Sequence, residues 1–298
     1  MISVQCALCG RKQKIKILYK ENFDIKKINE KTFSARRLPD RMHYRLVKCL
    51  RCGLIFSNPI FSKSKIYKLY KKSDFTYTEE SDSLRKTYKN YLNKLLKGKE
   101  LNKFILLEIG CGNGFFLEEA LEMGFRDVYG IEPGASSVFK AKDNIRRNIK
   151  ADVLRKNLFK RNSFDIICCF HTLDHIVDPN KFLQIAKDLL KKGGHVFFIV
   201  HNTSGLSVKL FGERSPIFDI EHIYLFDSKN LSLIFRKNGF KIIEVFNVKN
   251  TFPLYYWIRL FPFQKVFKNV FLKLILYTKI GFMPLTINAG NVGIFAKK

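Results

Sequence analysis

The feature that most constrains the fold is the segment FILLEIGCGNGFFLEEALEMGF at residues 104–125. An apolar run that suits a buried strand meets a glycine-rich turn, and a pattern with helical spacing follows directly. Glycines at such a turn let the backbone approach a bound ligand closely, because they carry no side chain. The segment therefore predicts a strand, a ligand-binding turn and a helix in succession.

The same alternation of strand and helix continues along the chain. The apolar runs predict strands near residues 104–109, 127–131, 148–152, 164–170, 194–200 and 240–247. The amphipathic patterns predict helices near residues 114–123, 134–147, 179–191 and 228–238. This alternation is typical of a doubly wound α/β protein, so we expect a Rossmann-like sheet of seven strands, with NVGIFAKK as the last strand.

The residues around the glycines distinguish between the ligands that such a turn can bind. A nucleoside-triphosphate loop requires Lys and Ser or Thr after its last glycine, whereas Phe115 and Phe116 stand there. A dinucleotide turn needs a small residue where Phe115 lies, so that the helix can pack beside the pyrophosphate. S-adenosylmethionine (SAM) has no phosphate, and its methionine and ribose parts suit a close approach of the backbone. We therefore expect SAM at a turn that comprises Glu108, Gly110, Cys111, Gly112 and Gly114.

Two acidic residues follow the next two predicted strands. Glu132 ends the second strand, where a carboxylate can accept hydrogen bonds from both ribose hydroxyls. Asp152 ends the third strand and is placed to accept from the adenine amine. Phe170, at the end of the fourth strand, is expected to line the same pocket. Either carboxylate alone also suits a solvated loop, but their shared position at strand ends favours the ligand.

Four of the seven cysteines form two Cys-x-x-Cys-Gly motifs, with Cys6 and Cys9 in the first and Cys49 and Cys52 in the second. Two such motifs can surround one Zn²⁺ tetrahedrally, and four thiolates leave no open position for a substrate. We therefore predict a structural zinc ion. The motifs are farther apart than in a compact zinc ribbon, which predicts a basic insertion at residues 10–48. A disulfide interpretation is disfavoured without an export signal.

The net charge of +28 is concentrated near the two ends of the sequence. Residues 1–72 contain 19 Lys and Arg against four acidic residues, and residues 245–298 contain eight against none. This charge indicates an anionic partner, and a phosphorylated substrate, RNA and an anionic membrane all fit it. The alternative is a lysine-rich composition that reflects no such partner. We see no signal peptide and no membrane-spanning run, so we expect a cytoplasmic protein, with peripheral contact at the inner membrane face left open.

Residues 100–250 resemble the class I SAM-dependent methyltransferases through four motifs in order: LLEIGCGNG, YGIEPG, FDIICCFHTLDHIVDP and LLKKGGHVFFIV. With its cysteine motifs, the chain is also similar to a zinc-bearing subgroup that includes sugar C-methyltransferases. The resemblance implies methyl transfer to a sugar, a sugar nucleotide or a surface-glycan intermediate. It does not extend to the further C-terminal domain that the sugar C-methyltransferases carry.

The resemblance also implies catalytic residues in the segment FDIEHIYLFDSKNLSLIFRKNGF. In sugar C-methyltransferases the matching Glu and His lie at the substrate and are implicated in proton abstraction; here they are Glu221 and His222. His222 is the first candidate for a general base, and a structural role in covering the cofactor is the alternative. His171 and His201 follow predicted strands and are further candidates, whereas His175 is expected to pack on the next helix.

We expect four regions: a zinc-binding module with its basic insertion (1–72), a helical linker (73–100), the SAM-binding domain (101–250) and a basic aromatic insertion with the final strand (251–298). Residues 251–285 mix aromatic residues, leucines and single lysines. They suit a substrate lid or dimer contact, or an amphipathic helix that lies on anionic lipid. An RNA methyltransferase that binds RNA through its zinc module is the alternative function. The methyl-accepting atom and the oligomeric state stay open.

Overall fold

The structure is a computed structural model, which describes residues 1–10, 14–29, 32–33, 41–73, 81–262 and 265–298. Parts of the predicted basic insertion (10–48) and of the predicted linker (73–100) lie outside the described residues. The strands are β1 (Ile15–Tyr19), β2 (Leu46–Cys49), β3 (Ile55–Ser57), β4 (Ile105–Ile109), β5 (Asp127–Ile131), β6 (Ile149–Lys150), β7 (Phe164–Phe170), β8 (Leu190–His201), β9 (Tyr224–Leu225), β10 (Lys241–Pro253) and β11 (Pro284–Lys297). The helices are α1 (Lys63–Lys72), α2 (Ser81–Leu95), α3 (Phe115–Glu122), α4 (Ala135–Phe139), α5 (Asp143–Arg146), α6 (Pro179–Leu189), α7 (Leu206–Phe211), α8 (Ser228–Lys237), α9 (Leu254–Leu260) and α10 (Lys265–Tyr277).

Seven of the described strands form one sheet in the order β10-β11-β8-β7-β4-β5-β6. Strands β4 to β8 run parallel, and β11 lies antiparallel between β8 and β10. The central strands β4 and β7 are apolar along most of their length, as expected of parallel strands that are covered on both faces. The predicted Rossmann-like α/β fold is confirmed.

The strand order reverses between β4 and β7, and this reversal positions the site. Glu108 on β4 pairs with Gly130 of β5 on one side and with Cys168 of β7 on the other. Because these strands are parallel, the turns that follow them open at the same edge of the sheet. In doubly wound folds, ligands bind at the carboxyl edge where the strand order reverses.

Helix α8 shows how local sequence and packing agree on the outer layer. The Asp227 side chain caps the helix by accepting a 2.7 Å hydrogen bond from the backbone N–H of Asn230. Ile234 and Phe235 lie on the buried face, and the ring of Phe235 packs edge-on against Phe198 of β8 at 5.2 Å between centroids. The helix is therefore fixed at its start by the cap and along its length by apolar packing.

Two parts of the chain differ from the sequence prediction. The predicted helix at 134–147 is divided into α4 and α5, because the chain turns between them and buries Ala141. The predicted insertion at 251–285 begins and ends within the sheet, because β10 and β11 stay paired as far as Pro253 and Pro284. Pairing between distant strands, rather than local composition, sets the two ends of this insertion.

Helices α9 and α10 connect β10 to β11. Helix α9 is buried, and Trp257 Nε1 donates a 2.8 Å hydrogen bond to the carbonyl of Leu285. Helix α10 instead exposes apolar side chains such as Val270 and Leu274. No helix in the described part of the chain has both the length and the apolar character needed to cross a bilayer.

A second sheet joins the N-terminal region to the rest of the molecule. Its order is β1-β2-β3-β9, so the last strand comes from the segment that follows His222. Phe56 of β3 pairs with Tyr224 of β9, and their rings stack at 5.9 Å between centroids. Buried N-terminal side chains, Tyr44 among them, share one hydrophobic core with residues of the parallel sheet such as Ile167. The N-terminal region is therefore part of the main body.

Candidate active site

The turn after β4 and the end of β5 form one half of the site. Gly110 has a φ of +80°, and a Cβ atom at this position would collide with the hydroxyl group of Thr172. The carboxylate of Glu132 accepts hydrogen bonds from the backbone N–H groups of Gly112 at 3.0 Å and Gly134 at 2.8 Å. These two bonds fix the Glu132 carboxylate beside the glycine turn.

Two buried oxygen atoms at this turn have no hydrogen-bond partner among the described residues, Glu108 Oε2 and Asn113 Oδ1. Burial raises the pKa of Glu108 well above its usual value, and the charge of Glu132 adds to this effect. Buried polar atoms are normally hydrogen-bonded, so unpartnered acceptors indicate a place for a ligand that donates. The ammonium group and the ribose hydroxyls of SAM are such donors, and the residues present therefore fit SAM.

Three more of the predicted cofactor residues lie around this turn. Phe170 ends β7, and its ring stacks on Tyr88 at 4.0 Å between centroids. Asp152 follows β6, and its carboxylate accepts a 2.7 Å hydrogen bond from Arg155 Nε, so any contact with adenine would be shared with Arg155. Cys111 is buried, and its side chain joins the hydrophobic core beneath the turn.

Four of the six histidines gather at the other half of the site. His171 follows β7, His175 ends the short 3₁₀ turn after it, His201 ends β8, and His222 lies two residues before β9. The ring centroids of His171 and His201 are 4.8 Å apart, those of His201 and His222 are 4.3 Å apart, and those of His175 and His222 are 5.0 Å apart. The structure thus brings the predicted His171 and His222 together with His175 and His201.

Asp174 is the buried charge at the centre of this histidine cluster. Its Oδ2 accepts a 2.5 Å hydrogen bond from His201 Nδ1, and its backbone carbonyl accepts a 2.7 Å bond from the N–H of Ile223. Burial alone would raise the pKa of Asp174, but His201, His175 and His222 lower it well below its usual value. The sequence analysis missed this residue, although an acidic residue beside a histidine after a buried strand was a usable signal.

The rings of His175 and His222 are both held through Nδ1. His222 Nδ1 donates to the carbonyl of Ile217 at 2.6 Å, and His175 Nδ1 shares a 2.8 Å hydrogen bond with the hydroxyl of Tyr70. Burial lowers the pKa of both imidazoles, so both rings are neutral near pH 7. Burial also raises the pKa of Tyr70, and the charge of Glu221 is the next contribution. The negative charge of the Glu221 carboxylate therefore favours the protonated, neutral form of Tyr70.

Both halves of the site line one cavity of about 820 Å³. Its cofactor side includes Gly110, Gly112 and Glu132. The four histidines, His171, His175, His201 and His222, line the same cavity. Basic side chains also line it, from Lys63, Arg155, Lys156 and Lys181. Strand β10 and helix α9 supply an apolar wall of Phe252, Tyr256, Trp257 and Leu260. The volume is near the upper end of the roughly 300–1,000 Å³ typical of ligand pockets.

The protein family described as "Methyltransferase domain" matches residues 82–245. The chain belongs to this family. It therefore contains a class I SAM-dependent methyltransferase domain, and the matched residues include the glycine turn, Asp174 and His222. The individual residues that we assign to cofactor and acceptor remain predictions.

Relatives of this methyltransferase domain act in different reactions. A tRNA U34 carboxymethyltransferase of Campylobacter fetus subsp. fetus is 29% identical over 153 residues, which cover 49% of this chain and 54% of that protein. A ubiquinone biosynthesis O-methyltransferase of Paraburkholderia phymatum is 33% identical over 104 residues, which cover 33% of this chain and 44% of that protein. The chain thus spans about half the length of the curated relatives it matches.

A similar fold occurs in a chain from the complex between the Haloferax volcanii Trm112 methyltransferase activator and a methyltransferase. The TM-score is 0.52 at 15% sequence identity, and the similarity covers 73% of this chain and 90% of that chain. At this level of identity the similarity supports the fold alone.

The four predicted zinc ligands of the methyltransferase gather at one point. The Sγ atoms of Cys6 and Cys52 are 3.4 Å apart, those of Cys9 and Cys49 are 4.0 Å apart, and all four cysteines are free thiols. Zn–S bonds of about 2.3 Å in a tetrahedron place the sulfur atoms about 3.8 Å apart. Both the spacing and the donor set therefore fit zinc.

The sheet that begins beside this cysteine cluster supports the backbone at His222. Ser57 Oγ donates a 2.8 Å hydrogen bond to the carbonyl of His222, and the N–H of Ser57 donates to the carbonyl of Ile223 at 2.8 Å. The hydroxyl of Tyr224 donates a 2.9 Å bond to the carbonyl of Gln5. The N-terminal region of the methyltransferase thus holds one wall of the histidine cluster.

We expect Glu132→Gln to weaken the binding of SAM and S-adenosylhomocysteine by about 1–3 kcal/mol, because the side chain keeps its size but loses its charged acceptor. Isothermal titration calorimetry measures this change. Asp127→Asn, which neutralises a half-exposed carboxylate at the start of β5, is the control and should leave the affinity unchanged. If Glu132→Gln bound SAM as tightly as this control, the assignment of Glu132 would be wrong. Equal affinity of the wild type for NAD and SAM would refute the cofactor assignment.

Proposed function

We propose that the protein transfers a methyl group from SAM to a sugar, a sugar nucleotide or a surface-glycan intermediate. The observation that carries this proposal is that the cofactor turn and the buried histidine cluster line the same cavity. Lys63, Lys156 and Lys181 line it as well, which suits an acceptor with a phosphate group. The cavity is large enough to hold an acceptor beside the cofactor.

Bound SAM would supply a methyl carbon that its sulfonium activates toward a nucleophile. The residues of the chain must align the acceptor, exclude water and take up its proton. We assign the proton to His201 Nε2 rather than to His222. His201 Nδ1 donates to the carboxylate of Asp174, which stabilises an imidazolium, whereas His222 Nδ1 donates to the neutral carbonyl of Ile217. His222, Glu221 and His171, which the sequence analysis nominated, then orient the acceptor.

We expect His201→Gln to lower kcat by about 10²–10⁴-fold while the affinity for SAM stays the same, as for a lost proton acceptor. The assay follows radiolabelled methyl transfer from SAM to a panel of UDP-sugars, dTDP-sugars and lipid-linked saccharides. His195→Gln, six residues earlier on the same strand, is the matched control and should retain activity. Near wild-type turnover in His201→Gln, with a large loss in His222→Gln, would show that His222 and not His201 is the general base.

RNA is the second candidate acceptor. It is favoured by the relative that is named as a tRNA U34 carboxymethyltransferase and by the positive charge of the N-terminal region. Single-stranded RNA commonly stacks its bases on exposed aromatic rings. The aromatic side chains here turn inward instead: Phe33 and Tyr44 are buried, Tyr19 packs on Phe218, and Phe23 packs on Tyr44. This packing favours the sugar acceptor, and an unmodified tRNA transcript in the same assay tests the alternative.

We also propose a structural zinc on the four clustered cysteines. Chelation is expected to accelerate hydrogen exchange at residues 41–57 and 217–225, because β3 and β9 are paired there. SAM binding should persist, because the cysteines lie outside the parallel sheet. Mass spectrometry measures the hydrogen exchange, elemental analysis the zinc content and calorimetry the affinity for SAM. Protein purified without chelators that contains no zinc would contradict the metal, and unchanged exchange at 217–225 would contradict the coupling between the two regions.

The connection between β10 and β11 presents a surface that suits an anionic membrane. Several large apolar side chains are exposed there, from Val270, Phe271, Leu274, Tyr277, Phe282 and Met283. Residues 245–298 contain eight Lys and Arg and no acidic residue. Helix α9, which precedes this surface, contributes Tyr256 and Trp257 to the cavity wall. We propose that this surface rests on anionic lipid, so that a lipid-linked acceptor can reach the cavity, while α9 serves as the predicted lid.

We expect the protein to sediment with vesicles that contain phosphatidylglycerol, but only weakly with pure phosphatidylcholine, and this binding should fall as salt rises. The double variant Val270→Asp/Leu274→Asp should bind at least tenfold more weakly, since a buried apolar side chain contributes about 1.5–3 kcal/mol. The matched control is Leu206→Asp/Leu210→Asp, which changes two exposed leucines on α7. Equal losses in the two double variants, or no preference for anionic vesicles, would contradict the proposed surface.

A further inference from the structure

A second group of metal ligands lies within the histidine cluster. Asp174, His175 and His222 each offer one ligand atom, and these three atoms lie within 4.8 Å of one another. We propose that these residues bind a divalent first-row transition-metal ion through one carboxylate oxygen and two imidazole nitrogens. The site is separate from the four cysteines, and its occupancy depends neither on SAM nor on an acceptor.

Each of the three ligands is already oriented by a hydrogen bond on its far side. Tyr70 engages His175 Nδ1, and the carbonyl of Ile217 engages His222 Nδ1, so Nε2 is the ring nitrogen left for a cation in both residues. His201 donates to Asp174 Oδ2, which leaves Oδ1 for the metal. Metal-binding histidines and carboxylates commonly have such supporting bonds, which fix the ring orientation and the ligand basicity.

The Oδ1 atom of Asp174 provides a second, independent observation that supports a metal ion at these residues. Asp174 is fully buried, and Oδ1 has no hydrogen-bond partner among the residues that the structure describes. The nearest ring nitrogen in an ion pair with it is His175 Nε2, at 3.8 Å. An unpaired carboxylate oxygen in the interior is costly, and a cation held between Oδ1 and the two imidazoles would remove that cost.

The charge around the cluster also favours a cation. Asp219 and Glu221 are buried, and both line the cavity together with His175 and His222. With Asp174, this region therefore holds three buried acidic side chains. A divalent ion would balance much of this negative charge in a site of low dielectric.

The donor set indicates which class of metal would bind. Two imidazoles and one carboxylate suit Zn²⁺, Fe²⁺, Co²⁺ or Mn²⁺ and leave open coordination positions, unlike the four thiolates of the zinc-binding cysteines. Metal–ligand bonds of about 2.0–2.2 Å require ligand atoms about 3–3.5 Å apart, so binding would draw the three side chains inward. His175 and His222 line the cavity. An oxygen atom of the acceptor can therefore occupy an open position beside His201.

Cobalt titration of the full-length protein tests the proposal. The protein is first loaded with zinc at the cysteines, dialysed to remove loosely held metal, and then titrated with Co²⁺ while its visible absorption is recorded. We expect one equivalent of Co²⁺ per chain to give d–d bands without the thiolate charge-transfer band that marks a cysteine site. X-ray absorption at the cobalt edge should show only nitrogen and oxygen neighbours. Absence of this equivalent, or sulfur neighbours, would overturn the proposal.

Variants then locate the site. His175→Gln and His222→Gln should each weaken Co²⁺ binding by at least tenfold. His201→Gln removes the hydrogen bond that orients Asp174 and should weaken Co²⁺ binding by about 10–100-fold. His195→Gln is the matched control and should bind Co²⁺ as the wild type does. Thermal unfolding and SAM calorimetry verify that each variant is folded. Cobalt binding that is unchanged in folded His175→Gln and His222→Gln would overturn the assignment.

Discussion

The pairing of Asp174 is the interaction on which the acceptor side of the molecule depends. A carboxylate with no exposed surface must be compensated, because an uncompensated charge in the interior destabilises a protein by several kcal/mol. The carboxylate is paired with His201 from the end of β8 and lies near His175 from the turn after β7, while the backbone carbonyl of Asp174 accepts from the N–H of Ile223 in the segment before β9. The contacts of this one residue therefore fix the relative position of these elements and set the spacing of the histidines that line the cavity.

The N-terminal region also supports the acceptor side of the cavity. Strand β3 pairs with β9, and Ser57 donates hydrogen bonds to the backbone carbonyls of both His222 and Ile223. The cysteine cluster fixes the hairpin of β2 and β3, and this hairpin in turn supports the wall of the cavity. Under our proposal of a zinc ion at these cysteines, the metal would stabilise the acceptor side of the cavity through this hairpin.

The parts of the fold that follow from local sequence could be predicted, and the parts that follow from distant pairing could not. Strands β4, β5 and β7 are short apolar runs followed by glycine or polar residues, so the positions of these strands and of the ligand-binding turn could be predicted from the sequence. The ends of β10 and β11 depend on pairing between Pro253 and Pro284, and no local pattern reports this. The cofactor residues each lie at or shortly after the end of a strand that the sequence predicts, whereas the role of Asp174 depends on His201 and His222, which the fold brings close to it. For the same reason the sequence ranked His222 first among the histidines, whereas the contact between His201 and Asp174 leads us to propose His201.

The central claim is that methyl donor and acceptor share one cavity, with the donor on the glycine turn and the acceptor on the histidine cluster. A crystal structure with bound S-adenosylhomocysteine tests it most directly. We predict that both ribose hydroxyls will lie on the carboxylate of Glu132 and that the sulfur atom will face the cavity between His171 and His201. A ligand bound elsewhere, or one whose adenine rather than sulfur faces these histidines, would contradict this account.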